Sequence, residues 1–246
     1  MSRLSRKIGE IEDALRKLRF LAQGGTRYSQ AFYCESLRAV LGDGIGTSDI
    51  SDHLSTLFYH ALEGSPKLIV ELGTRGGEST RILSAAAEIA NAQVLSVDIN
   101  DCSNLNMPYP HRWHFVRQND VAFGRKGFVA WCRQHALEPR ADAIFIDTSH
   151  FYEHTKDEIA VWMDHLSNTG VMIFHDTNTG RGLYGRCDGT IDLGWDNQRG
   201  VIRAIEEFLG RRYEEKSFFV DAVKGFLIRH YPNSNGLTVL KRMPVV

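Results

Sequence analysis

Apolar residues follow two kinds of pattern along the 246-residue chain, and the change from one to the other comes near residue 65. At the N-terminus Leu4, Ile8, Ile11, Leu15, Leu18 and Leu21 recur at helical spacing among charges before Gly24 and Gly25, which predicts one amphipathic helix. Its single apolar stripe would serve packing on its own domain or contact with a second copy equally well. A polar, glycine-containing stretch over 42–51 follows, and HLSTLFYHALEG reads as a helix leading into the core. Residues 1–64 are therefore expected to be an N-terminal helical cap on a second unit, 65–246.

From residue 65 onward short β-branched runs alternate with helical stretches. KLIVELG, QVLSVDI, HFVRQ, ADAIFID and GVMIFHD read as strands, with STRILSAAAEIAN and KDEIAVWMDHL as helices between them. Near-continuous apolar strands interleaved with helices predict parallel βαβ units covered on both faces. At the end, GFLIRHY and GLTVLKR are joined by the turn composition PNSN, which permits a hairpin and an antiparallel edge. The expected fold class is α/β, a Rossmann-like doubly wound, mostly parallel sheet of seven strands with a C-terminal antiparallel hairpin.

Composition narrows the partners. Twenty-nine basic residues stand against 30 acidic ones, so no global positive field draws nucleic acid or an anionic membrane. Hydrophobic residues make up 43%, enough for a large core, yet no apolar run reaches membrane-spanning length. Cys34, Cys102, Cys132 and Cys187 are scattered without CxxC spacing, which argues against a zinc ribbon or disulfide framework and fits a reducing, cytoplasmic setting.

Candidate chemistry gathers at the carboxyl ends of the strands. The first strand runs into Gly73-Thr74-Arg75-Gly76-Gly77-Glu78-Ser79, a glycine-rich turn that brings a ligand close to the backbone at a helix N-terminus. Arg75 breaks the GxGxxG pattern, and the Gly-Lys-Ser/Thr ending of a P-loop is missing, so dinucleotide and triphosphate readings both weaken. Asp98 closes the next strand, where a carboxylate accepts from both ribose hydroxyls of a nucleoside. Asp120, after the third strand, sits where it would meet an adenine amino group. Asp147, His175 and Asp176 end two adjacent strands, whose ends lie ~4.8 Å apart in a parallel sheet. Two carboxylates and an imidazole suit a divalent cation: Mg²⁺ from the oxygen count, with Mn²⁺ or another transition ion drawn by the imidazole. Residues 180–200 form a long glycine-rich segment carrying Tyr184 and Trp195, which reads as a substrate lid. His154 and His165 read as surface or packing residues.

VELGTRGGEST followed by VLSVDI resembles the first two motifs of class I S-adenosylmethionine-dependent methyltransferases. The resemblance implies S-adenosyl-L-methionine as cofactor, with its methionine portion on Gly73, Thr74, Gly77 and Ser79 and its ribose on Asp98. Glu71 would orient the loop or the cofactor's amino group. IDTSHFYEHTKDEIAVW followed by GVMIFHDTNTG is similar to the branch holding cephalosporin-hydroxylase-type proteins and metal-dependent sugar O-methyltransferases. That likeness implies Asp147 and the His175–Asp176 pair as metal ligands, His150 as base, and a small hydroxylated acceptor such as a sugar or glycosylated natural product. His175 departs from the Glu or Asp often found there. Rival readings are a non-catalytic cofactor-binding scaffold, which would need only the glycine loop and Asp98, and an oxidoreductase, for which no nicotinamide fingerprint is present.

Overall fold

The computed structural model describes residues 48–180, 182–185 and 191–244, without the side chains at 184, 185 and 192. The amphipathic helix expected near the N-terminus lies outside these residues. Strands β1 (Leu68–Leu72), β2 (Gln93–Asp98), β3 (Trp113–Arg117), β4 (Ala141–Ile146) and β5 (Leu166–His175) are parallel. The last three, β8 (Phe219–Val223), β9 (Phe226–Tyr231) and β10 (Leu237–Arg242), are antiparallel, and the sheet order is β3-β2-β1-β4-β5-β10-β9-β8. The expected doubly wound sheet and terminal hairpin are present, with eight strands rather than seven. A separate two-stranded ribbon pairs β6 (Leu183–Gly185) with β7 (Ile191–Leu193), so the segment expected as an irregular lid carries secondary structure of its own.

Strand periodicity builds two cores. Ile69, Phe145 and Ile173 point to one face, against α1 (Leu54–Leu62) and α2 (Glu78–Ala90). Their neighbours Val70, Ile144 and Met172 point to the other, where Phe128, Trp162 and Ile202 belong to α4 (Phe128–Gln134), α5 (Tyr152–Trp162) and α6 (Gly200–Leu209). A short helix, α3 (Asp120–Lys126), leads into α4 and packs on α5. Each fully buried Leu or Phe contributes roughly 1.5–3 kcal/mol, so Leu54, Leu57 and Phe58 make α1 an integral part of the covering layer. Among the described residues, no helix is long and apolar enough to cross a membrane.

Chain order reverses beside β1: β2 and β3 extend one way, β4 and β5 the other. A crevice opens at such a point beyond the carboxyl ends of the strands, which is where a doubly wound sheet takes its ligand.

Candidate active site

A cavity of about 470 Å³ opens in that crevice, lined by Asp49, Gly73, Asp98, Asp120, Asp147, His150 and His154 among others. Its size is that of a small-molecule site. Gly73 leaves β1 at φ +88°, and a Cβ there would stand 2.0 Å from the Asp147 carbonyl oxygen, so only glycine fits between the two strand ends. Gly77, at φ +78°, starts α2 and is roofed by Met107 and Leu105.

Asp98 latches this loop. Its carboxylate accepts from the backbone N–H groups of Thr74 (2.8 Å), Arg75 (3.1 Å) and Asn100 (2.8 Å) while still lining the cavity. A carboxylate has about four acceptor positions, so capacity for a ligand hydroxyl remains. Glu71 lies behind the loop, fully buried. It accepts from Ser79 (2.6 Å), Thr80 (2.7 Å) and Ser96 (2.5 Å), tying β1 to α2 and β2. Its two oxygens are thus engaged within the protein, which fits a role in orienting the loop; burial pushes its pKa up to about 7, against the three hydroxyl donors. Thr74 and Ser79 are buried too, and among the expected cofactor residues Gly73, Asp98 and Asp120 are the ones that line the cavity.

Where β4 and β5 end, carboxylates and imidazoles interlock. His150, at φ +59°, places Nε2 2.9 Å from Asp147 Oδ1 and 3.2 Å from Asp176 Oδ2. His175 Nδ1 lies 3.2 Å from Asp147 Oδ1 and 3.6 Å from Asp176 Oδ2, and its Nε2 is buried with no hydrogen-bond partner among the described residues. Burial opposes charge on both members of the Asp147–His175 pair. Even so, the imidazolium holds Asp147 well below the usual carboxylate range, and Asp176 and Asp147 lift His175 to about 10. Asp176 is raised, chiefly by burial. Asp147, His175 and Asp176 therefore meet as the parallel register demands. Asp147, His150 and Asp176 offer ligand atoms within 4.8 Å of one another, as do Asp49, His175 and Asp176.

Trp195 donates its Nε1–H to Asp176 Oδ1 at 3.3 Å and meets the His150 ring edge-on at 5.2 Å, so it packs on the acid–imidazole cluster. The backbone of Tyr184 lies in β6, while its side chain lies outside the described residues. His165 donates its Nε2–H to the Gly124 carbonyl oxygen at 2.8 Å and serves packing, as expected. His154 does not stay at the surface: it lines the cavity beside Asp120. Asp49 also escaped the sequence reading, because it comes from the polar segment ahead of the sheet and no strand periodicity points to it.

Residues 70–177 match the model of a family described as a methyltransferase domain. Over those residues the chain is similar to a methyltransferase domain. Solved structures similar to this chain share its fold at low identity. One is an inferred O-methyltransferase from Klebsiella pneumoniae, 15% identical, with a TM-score of 0.52 and covering 94% of this chain and 96% of its own. Another is the Podospora anserina methyltransferase PaMTH1 bound to SAH, 13% identical, with a TM-score of 0.52 over 94% and 95%. A third is MycE of the mycinamycin biosynthetic pathway in complex with Mg and SAH, 15% identical, with a TM-score of 0.51 over 88% of this chain and 56% of its own. No curated protein sequence matches the chain.

Proposed function

We propose that this chain transfers the methyl group of S-adenosylmethionine to a hydroxyl of a small molecule, a sugar or glycosylated natural product, with help from a divalent cation. The observation that carries this reading is the convergence of Asp147, His150, His175 and Asp176 at the strand ends, beside the cavity that Gly73 and Asp98 line. A cofactor-binding scaffold has no use for such a group.

The donor set fits both groups. Gly73 and its loop would take the cofactor's methionine portion, Asp98 its ribose and Asp120 its adenine amino group, while Asp147, His175 and Asp176 would hold the cation. When bound, the cofactor supplies an electrophilic methyl on a sulfonium, and the cation lowers the pKa of a coordinated hydroxyl. The chain's own residues position and deprotonate. Asp147 accepts from His150 Nε2 and so fixes the ring, leaving Nδ1 to take the acceptor's proton, a task for which an imidazole is suited near neutral pH. Trp195, edge-on to His150, would cover the acceptor and exclude water.

A metal-free version of the same reaction is favoured by one observation: both carboxylates already bond imidazoles at 2.9–3.2 Å. Incubation with labelled cofactor and a panel of sugars and diols, with Mg²⁺ or with a chelator, tests both. Activity abolished by chelator and restored by Mg²⁺ or Mn²⁺ is expected. Full activity in chelator would leave Asp147–His150 as a metal-free base, and labelling of no hydroxyl compound would overturn O-methyl transfer.

A further inference from the structure

The turn that starts α6 runs against the preferences of its own residues. Gln198 and Arg199, neither of them glycine, stand in the left-handed region at φ +56° and +59°. What the turn touches gives that strain a use. Gly200 lies so close to the loop after β4 that a Cβ would stand 2.5 Å from the His150 carbonyl oxygen and 2.9 Å from the Tyr152 nitrogen. Asn197 is buried and donates its Nδ2–H to the Asp176 carbonyl oxygen at 3.2 Å, while its Oδ1 accepts from the Gly200 N–H at 3.2 Å and from the Thr179 hydroxyl. Together with Trp195, which bonds the Asp176 carboxylate and packs on the His150 ring, one short segment grips both members of the His150–Asp176 contact.

Arg199 anchors this segment. Its Nε and Nη2 donate to the two oxygens of Glu215 at 2.7 and 2.9 Å, and Nη2 and Nη1 donate to those of Glu206 at 2.9 and 3.3 Å. The two acids are 12% and 7% exposed, so water screens these pairs far less than it screens a surface ion pair. A guanidinium held as a fork by carboxylates is fixed in direction as well as in distance, which a lysine ammonium is not.

We propose that Arg199 is a positioning residue for the proposed methyl transfer: clamped between Glu206 and Glu215, it holds the left-handed turn through which Trp195, Asn197 and Gly200 set His150 against Asp176. Its catalytic consequence rests on the reading of His150 as base. Arg199 acts through its neighbours, and without its fork Gln198 and residue 199 relax toward right-handed backbone, which withdraws the turn from the loops after β4 and β5. The cavity wall at Gly73 and Asp98 comes from other segments and keeps its shape.

The test compares the full wild-type chain with Arg199→Met, Arg199→Lys and the double variant Q198G/R199M. Glycine takes a positive φ without strain, so Gln198→Gly restores the turn and restores no ion pair. Amide hydrogen exchange needs no acceptor. It should be about tenfold faster over 149–152 and 195–200 in Arg199→Met, intermediate in Arg199→Lys, and return most of the way in the double variant, all with an unchanged far-ultraviolet dichroism spectrum. With an acceptor that the wild type methylates, Arg199→Met should lower kcat about tenfold, leave the cofactor's KM unchanged and recover in the double variant. Wild-type exchange in Arg199→Met, no recovery with Gln198→Gly, or a loss of dichroism showing that Arg199 serves the whole fold would each overturn the positioning role. A wild type that methylates no hydroxyl compound would overturn the proposed reaction instead, and the exchange result would still decide whether Arg199 holds the turn.

Discussion

At the residue scale Asp98 does two jobs with one carboxylate. It holds the Thr74 and Arg75 amides and lines the cavity, so its replacement should loosen the loop as well as remove the acceptor proposed for ribose hydroxyls. A charge-assisted hydrogen bond is worth about 1.5–3 kcal/mol, and calorimetry should therefore show S-adenosylmethionine binding about 10- to 100-fold weaker for Asp98→Ala, with Asp98→Asn in between. Unchanged affinity would remove Asp98 from the cofactor site. Glu71 makes a different prediction, one of pH. Its pKa is raised by burial from 4.5 to about 7 in the folded chain, so the folded state binds its proton more tightly than the unfolded state does. The contribution is fully present below 4.5 and is lost as pH rises through about 7, in total on the order of 3 kcal/mol. Glu71→Gln cannot ionise. In urea unfolding, wild-type stability should fall relative to this variant between pH 5 and pH 8, and parallel profiles would show that Glu71 titrates alike in both states.

At the scale of elements, what the sequence made legible follows from burial. Strands β1, β2, β4 and β5 lie inside the sheet and are covered on both faces, which forces continuous apolar runs that stand out from their surroundings. Strand β8 was not legible in that way. It is an edge strand, its alternate residues exposed, and FVDAV carries an acid in its middle. The signal that would have found it is the turn: Lys224 and Gly225 both have positive φ, as a two-residue hairpin requires, and Val223 pairs with Phe226 across them. The site divides similarly. Asp98, Asp147, His175 and Asp176 were readable because a parallel sheet brings its strand ends together. The partnership of Asp120 with His154 and Glu158 depends on how α3 meets α5, which no single periodicity encodes. Trp195 belongs to an element whose role follows from what it touches. Its indole links Asp176 to His150, away from the Asp98 and Asp120 positions proposed for the cofactor, so Trp195→Ala should raise the acceptor's KM or lower kcat while leaving cofactor affinity nearly unchanged. Hydrogen exchange through 191–200 should slow when acceptor joins the cofactor. Normal kinetics for the variant together with equal exchange would return this segment to a purely structural role.

At the scale of the molecule, the cavity wall is assembled from segments that are far apart in the chain. Asp49 precedes the sheet, Gly73 follows β1, Asp98 ends β2, Asp120 follows β3, and His150 follows β4, so only the folded chain presents them together. A ligand that bridges these segments binds the native state alone and must stabilise it by mass action. At a hundred times its dissociation constant the gain is about 2.7 kcal/mol, and in a domain of this size each kcal/mol raises Tm by ~2–4 °C. S-adenosylhomocysteine, which keeps the nucleoside and lacks the reactive methyl, should accordingly raise Tm by ~5–11 °C at that concentration. The shift should shrink for Asp98→Ala and persist for Trp195→Ala, because Asp98 is the residue proposed for the nucleoside and Trp195 packs on the acid–imidazole cluster. Differential scanning calorimetry with and without the nucleoside reads this directly: no shift in the wild type at saturating ligand would mean that the crevice is not where the cofactor binds, and an equal shift in both variants would detach Asp98 from it.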